Sequence, residues 1–230
     1  MVFERAFKKV EKLLEENAVS SYDELIELLD RNMTLSSEKS SKDAVIILGY
    51  SGNGKSTWAR EFMKNNKGYE MISWDSAVKK VARGRAYREI PRDEIIAAVD
   101  FDIENKREHN LVLDGNYLNL PLRIATINAL HTLGYDVYLA DLTSQIDTTI
   151  LFRIDDETNR QFNNPKYAGY SYEALKKAVA RAIYAFKADE DRRSYFSEQV
   201  KRGVVGMGVR KVIGPQEFNM DIIKGDINNI

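Results

Sequence analysis

Near the start of the chain, apolar side chains recur at helical spacing between charged ones. Residues 3–16 carry an apolar side chain every three or four positions, among them Phe7 and Val10, with Lys and Glu between them. This pattern predicts an amphipathic helix over 3–16. Ser21 and Glu24 have capping-box spacing ahead of another apolar group, which predicts that a second short helix begins at Ser21.

A polar, Ser-rich stretch, TLSSEKSSK over 34–42, follows these helices and is typical of a linker. The pattern therefore predicts a helical appendage over 1–33, a linker over 34–42 and one larger domain over 43–230. Two roles stay open for the appendage. It packs as an arm or contacts a second copy of the chain, or it docks a partner or a substrate.

Beyond the linker, short apolar runs alternate with stretches of helical spacing. The run AVIIL over 44–48 is continuous and rich in β-branched residues, as expected of a strand buried on both faces. Because strands and helices alternate, we expect an α/β fold of three layers, α/β/α, with a mostly parallel sheet. The further predicted strands are 70–73, 111–113, 137–140 and 209–213, and the predicted helices are 57–65, 76–83, 93–109, 121–133, 144–160 and 171–190.

The first predicted strand of this domain leads directly into a Gly-rich segment. Residues 49–56 read GYSGNGKS, the complete G-x-x-x-x-G-K-[ST] pattern of a P-loop. Glycines let successive backbone N–H groups turn towards phosphate oxygens, and the N-terminus of the following helix adds partial positive charge. We therefore expect ATP here, with Lys55 at the β- and γ-phosphates and the Ser56 hydroxyl on Mg²⁺. The predicted nucleotide-binding residues are Gly49, Tyr50, Ser51, Gly52, Asn53, Gly54, Lys55, Ser56 and Thr57.

A second predicted strand, LVLD over 111–114, ends in an acid. Asp114 fits the second acidic position of P-loop proteins, which holds Mg²⁺ through a water at the carboxyl end of a strand. The alternative is an Asp that begins a turn or caps a helix before Gly115. Ser56 and Asp114 are therefore the predicted metal ligands.

Composition narrows the choice of chemistry. The 230 residues include 34 Lys and Arg against 35 Asp and Glu, so the net charge of -1 argues against nucleic-acid binding through bulk positive charge. The absence of cysteine excludes disulfides and thiol catalysis, and two histidines make a multi-His metal centre implausible. No apolar run approaches the roughly 18 residues of a membrane span. We expect a soluble, cytoplasmic protein without a membrane partner.

The segment GKSTWAREF over 54–62, together with Asp-Gly-Asn over 114–116, resembles the kinase domain of the phage 5′-polynucleotide kinase family. The likeness covers about 44–142. Zeta-toxin-like kinases, antibiotic phosphotransferases and nucleoside or nucleotide kinases are similar in the same motifs. The resemblance implies a P-loop phosphotransferase that uses ATP and Mg²⁺. It does not extend to a phosphatase half, because the chain lacks an Asp-x-Asp-x-Thr motif.

The resemblance also implies a catalytic base. The family's catalytic aspartate matches Asp75, just past the predicted strand 70–73. A carboxylate there can align an acceptor hydroxyl and take its proton. The alternative is that Asp75 caps the helix predicted over 76–83.

Several basic and polar residues are candidates for binding the acceptor. The stretch after Asp75 is locally basic, and Gly84 suggests a loop, so Arg83 and Arg85 are the predicted contacts to an acceptor phosphate. The alternative is a solvated surface. The resemblance adds Asn116 and Arg123 as substrate-binding residues.

A lid is expected over about 153–170. Arg153 and Arg160 are seven residues apart and share one helix face, and in lidded kinases such arginines neutralise the transferring phosphoryl group. The intervening Asp155, Asp156 and Glu157 make surface ion pairs the alternative.

Three functions stay open at this point. The first is an ATP-dependent kinase acting on a hydroxyl, most like a polynucleotide 5′-hydroxyl kinase. The second is a small-molecule kinase for a nucleoside, nucleotide or nucleotide sugar, which the near-neutral charge favours. The third is a nucleotide-binding module that hydrolyses ATP slowly.

Overall fold

The computed structural model places the residues that predict a sheet into a single parallel sheet. The structure describes residues 2–18, 24, 27–28, 31–32, 40–49, 54–115, 117, 120–142, 154–164, 167–187 and 209–227. Within these residues, no helix is both long and apolar enough to cross a membrane.

Five strands form the middle layer, and all neighbouring pairs are parallel. The strands are β1 Lys42–Leu48, β2 Tyr69–Ser73, β3 Asn110–Asp114, β4 Tyr135–Asp141 and β5 Val209–Ile213. Their order is β2-β3-β1-β4-β5, so β1 lies in the centre. The connections that leave β1 and β4 run in opposite directions across the sheet, and open α/β sheets bind ligands at the carboxyl ends of such strands.

Eight α-helices belong to the described part of the chain. They are α1 Val2–Glu16, α2 Lys55–Asn65, α3 Trp74–Ala82, α4 Arg92–Asn105, α5 Leu120–Thr132, α6 Ile154–Phe162, α7 Tyr172–Lys187 and α8 Met220–Ile227. One 3₁₀ turn, Tyr87–Glu89, precedes α4.

The central strand shows why helices cover both faces of the sheet. Ala44, Ile46 and Leu48 are buried in one apolar cluster with residues of α1, α3, α4 and α5. Val45 and Ile47 are buried in a second cluster with residues of α2 and α8. Successive side chains of a strand point to opposite faces, so a run without polar residues needs a cover on each side. The expected three-layer α/β/α fold is confirmed.

Helix α1 packs into the larger of these clusters. Phe3, Phe7 and Val10 are almost completely buried there. Asp100 of α4, itself fully buried, accepts hydrogen bonds from the backbone N–H groups of Phe3 (3.4 Å) and Glu4 (3.1 Å). A carboxylate at a helix N-terminus satisfies unpaired N–H groups and complements the helix dipole. Of the roles expected for the appendage 1–33, these contacts support the packing role for its first helix, α1.

The second predicted helix is only partly described, and its residues 24, 27–28 and 31–32 are helical. The first half of the helix predicted over 144–160 lies outside the described residues. Its second half corresponds to α6, which continues past the predicted end to Phe162.

Three other differences from the predicted elements have a clear physical setting. Helix α3 begins at Trp74 because the side chain of Ser73 accepts a hydrogen bond from Ser76 N–H and caps it. Helix α4 ends at Asn105, four residues early, because β3 must begin at Asn110 to pair with β2. The chain's last part carries no predicted element, yet it forms α8, whose N-terminus the side chain of Asn219 caps.

Candidate phosphoryl-transfer site

The P-loop joins the central strand to α2 as its sequence predicts. Gly54 ends the loop in the left-handed region at φ 76°, and its carbonyl accepts hydrogen bonds from the N–H groups of Thr57 and Trp58. Gly54 has no side chain that could cap α2, an arrangement typical of an anion site at a helix N-terminus. Tyr50, Ser51, Gly52 and Asn53 lie outside the described residues.

Lys55 folds back over the first glycine of the loop. A Cβ atom at Gly49 would lie 3.1 Å from Cγ of Lys55 and 3.4 Å from Cβ of Leu142, so any larger residue there would crowd this lysine. Burial lowers the pKa of Lys55, while the carboxylates of Asp114 and Asp75 oppose that shift. The amine therefore lies in a confined position within electrostatic reach of both acids.

Ser56 and Asp114 lie together at the carboxyl ends of two neighbouring strands. Ser56 Oγ donates a hydrogen bond of 2.6 Å to Oδ2 of Asp114, whose side chain is buried. A hydroxyl and one carboxylate suit Mg²⁺, which takes one or two protein ligands and completes its shell with water and phosphate oxygens. Among the described residues, no group of three or more His, Cys, Asp or Glu forms a separate metal cluster. The donor set therefore fits the predicted magnesium site.

Asp75 lies in the first turn of α3, close in the fold to Asp114, the predicted metal ligand. Ser73 is the register partner of Asp114 across β2 and β3, so Asp75 follows two residues beyond that pair. The alternative that Asp75 serves as the helix cap is wrong, because Ser73 takes that role. Asp75 thus has a position at the strand ends that capping does not explain.

The sequence analysis did not predict the tight packing at Gly115, which lies next to Asp114 and against the residue before Asp75. A Cβ atom at Gly115 would lie 2.9 Å from the Tyr117 ring and 3.2 Å from Cβ of Trp74. Tyr117 is fully buried, and its hydroxyl has no hydrogen-bond partner among the described residues. Burial, and to a lesser degree Asp114, raises the pKa of this tyrosine. The glycine directly after Asp114 was the available signal, since it lets the segment before Asp75 approach closely.

Of the two predicted lid arginines, the structure describes Arg160, whereas Arg153 lies outside the described residues. Arg160 forms an ion pair with Glu157 on the same helix, as the ion-pair alternative expected. It is also within electrostatic reach of Asp75 and of Lys55. Arg160 therefore forms the ion pair with Glu157 and also lies within electrostatic reach of the candidate site.

The structure separates the two arginines predicted to bind the acceptor. Arg83 is exposed and ends α3 with a positive φ of 45°. Arg85 is tied into the fold, because its guanidinium donates to both carboxylate oxygens of Glu94 (2.5 and 3.1 Å) and to the carbonyl of Val81. The side chain of Arg83 is therefore exposed to solvent, whereas that of Arg85 links the end of α3 to α4.

Arg123 is buried in α5, where its guanidinium donates a hydrogen bond of 3.2 Å to the carbonyl of Tyr117. This contact lies just beyond β3 and links α5 to the segment after Asp114. Asn116 lies outside the described residues.

Comparison with known proteins finds distant likenesses among solved structures, of which two are given below. No family model matches the chain, and no curated protein matches it. A presumed kinase from Chloroflexus aurantiacus is 16% identical, with a TM-score of 0.44 over 60% of this chain and 78% of that chain. A chain of the PezAT chromosomal toxin–antitoxin system of Streptococcus pneumoniae is 20% identical, with a TM-score of 0.39 over 75% of this chain and 77% of that chain. The assignment of the fold therefore depends on the strand order and the helical layers. Any proposal about the reaction depends on the side chains of the site.

Proposed function

We propose that this protein is an ATP- and Mg²⁺-dependent kinase that transfers the γ-phosphate of ATP to an acceptor hydroxyl. The observation that carries the proposal is the 2.6 Å hydrogen bond from Ser56 to Asp114. It joins the hydroxyl of a P-loop to the acid at the end of the adjacent strand. Lys55 and Asp75 lie within electrostatic reach of each other at the same edge.

Each side chain has a role in binding the donor. The loop 49–57 supplies backbone N–H groups to the phosphates, and the Lys55 ammonium neutralises the β- and γ-phosphate oxygens. Ser56 and Asp114 would hold Mg²⁺, which would offset the negative charge of the phosphates.

Asp75 is the general base of the proposal. It accepts the proton of the acceptor hydroxyl while the acceptor oxygen forms a bond to the γ-phosphorus. The bond from that phosphorus to the β–γ bridging oxygen breaks, and ADP leaves. Such base assistance typically contributes about 10²–10⁴ in rate. Arg160, and Arg153 by its sequence position, offset negative charge on the phosphoryl group during transfer.

Two acceptor classes follow from different observations. Motif resemblance favours the 5′-hydroxyl end of a polynucleotide. The ion pairs favour a small acceptor such as a nucleoside, nucleotide or nucleotide sugar. In the basic stretch after Asp75, Lys80 pairs with Asp102, Arg85 pairs with Glu94, and Arg92 lies over the ring of Phe7. Positive charges already paired inside the domain are less able to form the broad basic track that a long polyanion needs.

A nucleotide-binding module that hydrolyses ATP slowly and is not a kinase is the weaker alternative. It needs Asp75 to act only as a helix cap, and Ser73 occupies that position. Capping therefore does not account for the position of Asp75 within electrostatic reach of Lys55.

The proposal is tested with γ-labelled ATP, Mg²⁺ and a panel of acceptors: 5′-hydroxyl oligonucleotides, nucleosides, nucleotides and nucleotide sugars. Label on an oligonucleotide supports the first acceptor class, and label only on a small acceptor supports the second. Lys55→Ala should abolish transfer. Lys64→Ala is the matched control, since Lys64 is an exposed lysine of the same helix with a surface ion pair.

Asp75→Asn separates the kinase from the binding module. We expect it to lower transfer by about 10²–10⁴ and to leave affinity for a non-hydrolysable ATP analogue within a few-fold. No labelled acceptor, with ATP turnover unchanged by Asp75→Asn, would refute the kinase proposal.

A further inference from the structure

Helix α6 buries polar residues where a surface helix normally buries apolar ones. Its buried side chains are Glu157, Thr158 and Gln161. Thr158 satisfies its hydroxyl within the helix, by donating to the carbonyl of Ile154. Glu157 and Gln161 remain as a buried polar pair. Buried polar residues are retained at a cost to stability, so this face calls for an explanation other than packing.

Glu157 holds the guanidinium of Arg160 at two points. Nε of Arg160 donates to Oε2 of Glu157 at 2.8 Å, and one terminal nitrogen donates to Oε1 at 2.7 Å. Gln161 donates a third hydrogen bond, of 2.8 Å, to the same Oε1. Two parallel hydrogen bonds set both the position and the plane of a guanidinium, which a single contact does not.

The burial of this pair is asymmetric. The side chain of Glu157 is 9% exposed, whereas that of Arg160 is 60% exposed. A pair between two exposed side chains on one helix stabilises little, and its geometry is loose. Here a buried carboxylate, fixed by Gln161, serves as the anchor for a more exposed arginine.

This assembly lies beside the phosphate site. Arg160 is within electrostatic reach of Asp75, and both Arg160 and Glu157 are within reach of Lys55. A change in the direction of the Arg160 guanidinium would therefore change the field around the P-loop lysine and the proposed base.

We propose that Glu157 is a positioning residue for phosphoryl transfer, which fixes the guanidinium plane of Arg160 towards the transferring group, with Gln161 fixing Glu157 in turn. The inference rests on the proposed kinase function. Misplacing a catalytic group by about 1 Å can cost about 10² in rate. The role of Glu157 therefore belongs to the chemical step and not to nucleotide binding.

The test compares Glu157→Gln, Arg160→Ala and the double variant, using γ-labelled ATP, Mg²⁺ and the acceptor labelled best in the panel. We expect Glu157→Gln to lower kcat about 10–100-fold and to leave the affinity for a non-hydrolysable ATP analogue within about threefold. The double variant should be no slower than Arg160→Ala alone if the contribution of Glu157 to the chemical step is made through Arg160. Asp155→Asn is the matched control, an exposed carboxylate of the same helix paired with Lys176.

Glu157→Asp is the second variant, in case Glu157→Gln lowers the Tm enough to impair folding. It keeps the charge but shortens the side chain by one methylene. The two hydrogen bonds from Arg160 are then lengthened or lost, and kcat should fall in the same way. A wild-type kcat in both Glu157 variants, or a Glu157→Gln loss that persists when residue 160 is already alanine, would overturn the positioning role. Abolition of transfer by Lys55→Ala in the same experiment would show that the kinase proposal survives that result. Failure of the kinase proposal instead appears as no transfer by the wild-type protein, and the positioning role then falls with it.

Discussion

The hydroxyl of Ser56 donates a hydrogen bond of 2.6 Å to the carboxylate of Asp114, although 58 positions separate them in the chain. The contact exists because β1 and β3 are parallel neighbours, with Ile46 opposite Leu113 in register. Parallel strands bring their carboxyl ends to one edge of the sheet. A hydroxyl that follows one strand and an acid that ends the next therefore meet there.

Removing the Asp114 carboxylate should weaken binding of Mg²⁺ at the proposed metal site. Asp114→Asn keeps the size of the side chain but loses the negative charge, so we expect the Mg²⁺ concentration for half-maximal transfer to rise at least about tenfold. A magnesium titration of transfer at saturating ATP measures this. Asp221→Asn, at an exposed acid of α8, should leave the titration unchanged. Equal titrations for wild type and Asp114→Asn would contradict the assignment of Asp114.

The lowered pKa of Lys55 predicts an alkaline limb in the pH dependence. Burial is the main cause of the shift, and the protonated amine is the form that binds phosphate. As pH rises, kcat/KM for ATP should therefore fall at a pH below the range of an ordinary lysine. Bound phosphates favour the charged amine, so the limb in kcat should lie at higher pH. Identical limbs in kcat and kcat/KM would argue against Lys55 as the titrating group.

The close packing at Gly115 predicts a loss of both stability and activity in Gly115→Ala. The added Cβ would meet the Tyr117 ring at 2.9 Å, and it would push against Trp74, the residue before Asp75. Overpacking of this kind typically costs about 1–3 kcal/mol, and displacing Asp75 should lower kcat as well. Thermal unfolding and kcat are the two measurements.

Gly225→Ala is the control for that substitution. Gly225 lies in α8, and a Cβ there would meet nothing within 4 Å. Alanine favours a helix by up to about 1 kcal/mol over glycine, so the Tm should stay equal or rise. If Gly115→Ala matched Gly225→Ala in Tm and kcat, the packing argument would be wrong.

The hydrogen bonds that Asp100 accepts from α1 should contribute to the free energy of unfolding. Asp100→Ala removes the acceptor for two N–H groups at the start of α1, so we expect a loss of about 1–3 kcal/mol in the free energy of unfolding. For a chain of this length, each kcal/mol lowers the Tm by about 2–4 °C. Lys8→Ala, which removes an exposed ion pair with Glu4, should leave the Tm close to that of the wild type. A Tm for Asp100→Ala as high as that of Lys8→Ala would show that the cap contributes nothing.

Features that depend on neighbouring residues were predictable. The apolar run 44–48 indicated a strand buried on both faces, and β1 contains it. The P-loop pattern predicted the strand–loop–helix path from Leu48 to Lys55, because glycine placement and helix initiation are local properties. The strand predicted over 209–213 has those bounds in the structure.

Features that depend on distant partners were not predictable from the pattern. Arg83 and Arg85 are alike in sequence, yet Glu94 engages the second and the first is exposed. The sequence gives no sign that Glu157 differs from the surface acids beside it. In the structure it is buried and accepts hydrogen bonds from Arg160 and Gln161. Which charges are paired depends on the neighbours that each helix meets, and hydropathy does not record those neighbours.

The chain's local patterns thus determined the strands, the start of α2 after the Gly-rich segment, and the acids at or just after the ends of β2 and β3, because backbone preference and side-chain periodicity act over a few residues. The tertiary structure alone decided the strand order β2-β3-β1-β4-β5, the docking of α1 through Asp100, and the contact between Ser56 and Asp114. Each of these needs segments far apart in the chain to be packed together, and hydrogen bonds a few ångströms long form only after that packing has chosen the partners.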